Sequence, residues 1–184
     1  MIYQSEDHFT HDRSWKNEII DDLKSVAIAK NFPCTSAQKF ITTHRFFYSF
    51  CCKEQFKNYH QFTSALLLYT NTLKEHLDDS LVEQPLVVFF DKNLNRFFKH
   101  NPKELIWDAL GYAQQFDSGL SNNRKFNEMT DTKQTFFFND LELCLNIVDS
   151  SVKYSRGVFD KNLMLILHLK KKNSPRIITM KKAS

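Results

Sequence analysis

The sequence predicts an α+β domain whose mainly antiparallel sheet packs against N-terminal and central helices. Three observations carry this. Helical patterns occupy most of the first half, an apolar strand and one more helix follow, and several strands then come in succession. That order points to segregated helices and strands rather than regular βαβ alternation. Eighteen phenylalanines stand against three glycines and four prolines, the balance of a dense aromatic core and not of a disordered or hairpin-rich chain. At 184 residues the chain suits one domain over 1–184, with 1–13 and 171–184 as peripheral tails. Such a domain buries roughly two thirds of its unfolded surface.

Residues 14–30 form the first expected helix. Ser14 or Asp12 can cap it, and Trp15, Ile19, Leu23, Val26 and Ala27 recur at helical spacing. Pro33 stops it, because the residue before a proline is driven out of the helical basin. The stretch 36–52 is ambiguous: Thr42 to Phe50 has the composition of a strand but no clean alternation. Residues 54–78 carry the clearest helical pattern, with Phe56, Tyr59, Phe62, Leu66, Tyr69, Leu73 and Leu77 three or four residues apart. Leu86 to Phe90 is wholly apolar, as a strand inside a covered sheet should be. Pro102 opens a helix over about 102–116, with Glu104 in its first turn, where the dipole favours a carboxylate. The polar stretch 118–133 suits a long loop. Thr135 to Phe138 and Leu141 to Val148 then flank Asn139-Asp140, a hairpin turn by composition. Leu163 to Leu167 is a further strand, and Arg176 to Met180 an expected edge strand.

Several function classes fall away. No run reaches the roughly 18–20 apolar residues that a bilayer requires. The N-terminus has neither the basic start nor the apolar segment of a signal peptide, so a cytoplasmic location is expected. Cys34, Cys51, Cys52 and Cys144 match no zinc spacing, and four reduced thiols fit that compartment. The net charge is only +4, and much of it sits in a lysine-rich end at 170–182 that reads as a solvated tail. No nucleic-acid motif accompanies it. Three glycines leave no Gly-rich phosphate cradle, and no hydrolase or kinase signature is present.

An ordered set of short motifs carries more. Phe32-Pro33-Cys34 comes first, then the apolar strand ending at Asp91. Glu104, Ile106-Trp107, Leu110 and Asp117 follow, then the hairpin 136–148, Ser155-Arg156, and a last apolar strand with His168. Over roughly residues 30–170 this order resembles the YqcI/YcgG family, which includes haem-dependent N-hydroxylases of guanitoxin-type biosynthesis. The resemblance implies a haem-dependent oxygenase that hydroxylates an amino or guanidino nitrogen of an amino-acid-like substrate. Haem needs an apolar slot, an axial ligand, and cations or donors for its propionates. On this reading His168, or alternatively Cys34, is the axial ligand. Arg156 pairs with a propionate or a substrate carboxylate, Trp107 stacks on a ring, and Asp117 binds a cationic substrate. The implied partners are a small amine or guanidine, an electron donor and a second copy of the chain, with no membrane and no nucleic acid among them.

Two positions depart from the hydroxylase-like members. Gln114 stands where they carry a histidine three residues before the Asp, and Ser150-Ser151-Val152 where they carry another before Ser-Arg. The lysine-rich end also replaces their terminal segment. These departures support an alternative: a non-catalytic ligand-binding or protein-interaction domain that kept the fold and lost haem. Each residue also has a structural account. Cys34 suits a buried thiol, His168 a strand histidine, Trp107 a core position, Asp117 a cap, and Arg156 or the His44-Arg45 pair a solvated surface. Cys34 as a nucleophile is a third reading, for which the sequence assigns no histidine partner. The phenylalanines could line a cofactor slot, but core packing is the simpler account.

Overall fold

A computed structural model describes residues 2–4, 15–28, 32, 34–51, 59–76, 80–91, 102–117, 134–148 and 163–170. The expected loop at 118–133, the edge strand at 176–180, and Phe56, Leu77 and Arg156 lie outside them. The described elements are β1 (Tyr3–Gln4), α1 (Trp15–Ala27), α2 (Thr35–Thr42), β2 (Phe47–Cys51), α3 (His60–Glu75), a 3₁₀ turn (Ser80–Glu83), β3 (Leu86–Phe90), α4 (Pro102–Gln114), β4 (Gln134–Phe138), β5 (Leu141–Val148) and β6 (Leu163–Leu169).

The strands form one sheet in the order β1-β2-β3-β6-β5-β4. Among the described strands only the β2–β3 pair is parallel, with α3 in the connection between them, as a parallel pair requires. The other pairs are antiparallel, so the α+β reading with a mainly antiparallel sheet holds. Helices cover both faces. Leu86, Val88 and Phe90 of β3 pack with Phe62, Leu66 and Leu73 of α3 and Leu105, Ala109 and Ala113 of α4. Val87 and Phe89 point the other way, into a second core with Ile19 and Leu23 of α1 and Ala37 and Ile41 of α2. A strand covered on both faces has no polar side to show, which is why Leu86 to Phe90 is apolar throughout.

The same physics explains the ambiguity at 36–52. All five residues of β2 are buried, so its sequence cannot alternate. The helix before it, α2, has eight residues and buries only Ala37 and Ile41. It ends where His44 takes a positive φ of 58°. The Thr42 and Thr43 hydroxyls bond back to the carbonyls of Gln38 and Lys39 at 3.0 and 2.8 Å.

The phenylalanines fill these cores. Phe46, Phe50, Phe62, Phe89, Phe90 and Phe138 are among the largest fully buried side chains, and Phe50 stacks on Phe89 with centroids 5.4 Å apart. The hairpin forms as expected, with Asn139 and Asp140 both at positive φ, 52° and 62°, the backbone of a type I′ turn. Among the described residues no helix is long and apolar enough to cross a membrane.

Candidate functional site

Cys34 immediately precedes α2 and is buried, 4% exposed, in the core under α1 and α2. His168 lies near the end of β6, and the alternation Met164, Ile166, His168 places it on the same face of the sheet. The two residues, 134 positions apart, meet with Cys34 Sγ 4.0 Å from His168 Nδ1. Asn146 of β5 also reaches this point, its Nδ2 donating to Cys34 Sγ at 3.4 Å. Cys144, two residues earlier on the same face of β5, is the cross-strand partner of His168.

Burial sets the protonation states. It pushes the Cys34 thiol pKa up, against the backbone N–H groups of Ala37 and Ser36 at the start of α2, while Cys144 adds to the rise. Neither amide closes a capping hydrogen bond to Sγ. Burial lowers the His168 pKa, so the ring is neutral at neutral pH, the form in which imidazole binds metals.

Beside these groups opens a pocket of about 440 Å³, lined by Thr35, Ser36, Lys39 and Phe40 of α2, Val82 and Glu83 of the 3₁₀ turn, and Cys144, His168, Leu169 and Lys170. The volume lies within the roughly 300–1,000 Å³ of small-molecule sites. His168 faces the pocket, whereas Cys34 sits behind it and is absent from its wall. The Lys170 ammonium is paired with Glu142. Among the described phenylalanines only Phe40 lines the pocket, and most of the others serve the cores.

Trp107 and Asp117, expected beside the cofactor and the substrate, lie on the other side of the sheet. Trp107 packs against the α3–α4 core. Asp117 follows α4, and its Oδ1 accepts the backbone N–H of Asn139 at 2.9 Å, which ties the β4–β5 turn to that helix. The structure therefore brings Cys34 and His168 together and leaves Trp107 and Asp117 apart from them.

Cys144, Asn146, Lys39 and Glu83 escaped the sequence reasoning. The alternation of Leu143, Leu145 and Ile147 with Cys144 and Asn146 was a usable signal that those two side chains share a face. The histidine partner that the sequence could not assign to Cys34 is His168.

The profile of the YqcI/YcgG family matches residues 22–171, a span that contains Cys34, His168 and every strand but β1. The chain belongs to the YqcI/YcgG family. Searches of curated proteins and of solved structures give no match.

Proposed function

We propose that the protein is a haem-dependent oxygenase that N-hydroxylates an amino or guanidino group of a small amino-acid-like substrate, with His168 as the axial ligand. One observation carries the reading: the two ligand candidates, far apart in sequence, converge beside one pocket and divide their roles there. His168 is neutral and lines the wall. Its Nδ1 faces the Cys34 thiol, which leaves Nε2 for iron. A ligating histidine is commonly held by a partner on its other ring nitrogen, and Cys34, 4.0 Å from Nδ1 and itself bonded by Asn146, would be that partner. Cys34 is the weaker ligand, because it lies behind the wall and burial disfavours its thiolate, the ligating form. Its place behind the wall argues against Cys34 as a nucleophile toward a substrate in the pocket.

The surrounding residues suit the group. Phe40, Val82 and Leu169 would supply apolar wall and Lys39 a cation for a propionate, while Lys170 is already paired with Glu142. Arg156, at its family position outside the described residues, remains a proposed partner for a propionate or a substrate carboxylate. Among the described residues no group of three or more His, Cys, Asp and Glu side chains is arranged to hold a metal ion, and haem iron needs only one protein atom. When bound, haem would supply oxygen activation: one oxygen atom enters the N–H bond as N–OH and the other leaves as water, with two electrons and two protons from a donor. The protein's part is to hold the ring, orient His168 and exclude bulk water.

The test is turnover. Haem-loaded protein with dioxygen and a reductant, or with peroxide, is expected to add one oxygen atom to at least one compound in a panel of amines and guanidines that includes arginine. Mass spectrometry reads the product. A haem-loaded protein inert across that panel would contradict the reading.

A second reading has its own support. Thr35, Ser36, Lys39 and Glu83 make much of the wall polar, and Gln114 and Ser150-Ser151-Val152 replace two family histidines. Both features suit a domain that binds a small polar ligand without haem.

A further inference from the structure

We propose that Cys144 is an oxidation site which small hydroperoxides reach through the pocket, and that Cys34 resolves it to a Cys34–Cys144 disulfide. The two thiols occupy complementary positions. Cys144 is half-buried and lines the pocket, so a small oxidant has a path to it. Cys34, 4% exposed, is not among the described residues that line the pocket.

The sheet brings them together. Cys144 and His168 are directly opposite in the β5–β6 pair, an arrangement that puts Cβ atoms about 4.5–5.5 Å apart. Cys34 Sγ lies 4.0 Å from His168 Nδ1 and 3.4 Å from Asn146 Nδ2. Asn146 is two residues along β5 from Cys144, on the same face. The Cys34 sulfur therefore lies against His168 and Asn146, the cross-strand partner and the same-face neighbour of Cys144. Cys144 is also near enough to act electrostatically on Cys34.

The chemistry balances in two steps. In the first, the Cys144 sulfur takes one oxygen from the hydroperoxide: an S–O bond forms, the O–O bond breaks, and the peroxide leaves as an alcohol or water. In the second, the Cys34 sulfur attacks the sulfenic sulfur, the S–S bond forms, and water carries away the oxygen and the thiol proton. A thiol reductant reverses the second product to two thiols. The link removes the Cys34 thiol that faces His168, so oxidation would alter the site without any need for haem. The proposal is independent of the oxygenase reading.

Hydrogen peroxide is the probe, followed by non-reducing digestion and mass spectrometry of the full chain. Wild-type protein is expected to yield peptides joined through Cys34 and Cys144, separated again by dithiothreitol. In Cys34→Ser, dimedone should trap sulfenic acid on Cys144. In Cys144→Ser, Cys34 should oxidise at least about tenfold more slowly than in wild type, as an inaccessible thiol does. Cys34 oxidising as fast in Cys144→Ser as in wild type would overturn the proposal. So would wild-type protein in which Cys144 stays reduced, or passes to sulfonic acid without the link. The wild-type measurement decides alone if either variant fails to fold.

Discussion

Phe89→Ala is expected to lower the free energy of unfolding by about 3–5 kcal/mol, the cost of emptying a large aromatic site that cannot collapse. Phe89 lies in the interior strand β3, is 0% exposed, and stacks on Phe50 with its ring 25° from parallel. Its neighbours Val87, Ile166 and Met164 belong to the sheet, and Ile41 and Leu23 to the helices above it. Removing the ring thus loosens both layers together. Phe116→Ala is the milder comparison: that ring is 47% exposed and touches only the rings of Tyr112 and His60 among those described, and its removal should cost about 0.5–1.5 kcal/mol. Urea unfolding followed by circular dichroism measures both. A Phe89→Ala loss below about 1.5 kcal/mol would mean that this core is less tightly filled than its burial indicates.

Asn139→Ala should cost about 2–4 kcal/mol, and the reason is separable. The side chain is only 8% exposed. Its Nδ2 donates to Thr70 Oγ1 at 3.0 Å and to Asn71 Oδ1 at 2.7 Å, and its Oδ1 accepts from Lys74 Nζ at 2.9 Å. The backbone sits at a φ of 52°, where asparagine is tolerated and alanine is strained. Alanine therefore loses the hydrogen bonds and adds strain, whereas Asn139→Gly loses the hydrogen bonds without the strain, at a smaller cost in backbone entropy. The glycine variant should be about 1 kcal/mol more stable than the alanine variant in the same unfolding experiment. Equal stabilities would show that the turn's backbone carries no strain for alanine.

Much of the fold was legible because three helices show an apolar face at the helical period. Phe62, Leu66, Tyr69 and Leu73 of α3 are buried as their spacing predicts. The hairpin was legible from Asn139-Asp140, two residues that accept positive φ. The sheet order was not, because β2 and β3 pair in parallel across α3 and no local pattern records that partner. The site was half legible. Cys34 and His168 were each singled out by the family resemblance, but their meeting depends on the β3–β6–β5 register and on the seat of α2 above it. Neither leaves a trace in the spacing of either residue. Trp107 and Asp117 were singled out by the same resemblance, yet nothing in their sequence context says which face of the sheet they occupy. Asp117 has a sufficient structural task in holding the hairpin turn.

Titration of the metal-free protein with haem, read in the visible spectrum, tests the central claim most directly. The account predicts a shifted Soret band that saturates at one haem per chain. His168→Ala should lose that band while keeping the wild-type far-ultraviolet dichroism, since His168 borders the core rather than filling it. A wild-type protein that leaves the spectrum of free haem unchanged while remaining folded would contradict the account. A His168→Ala spectrum identical to that of wild type would contradict it equally.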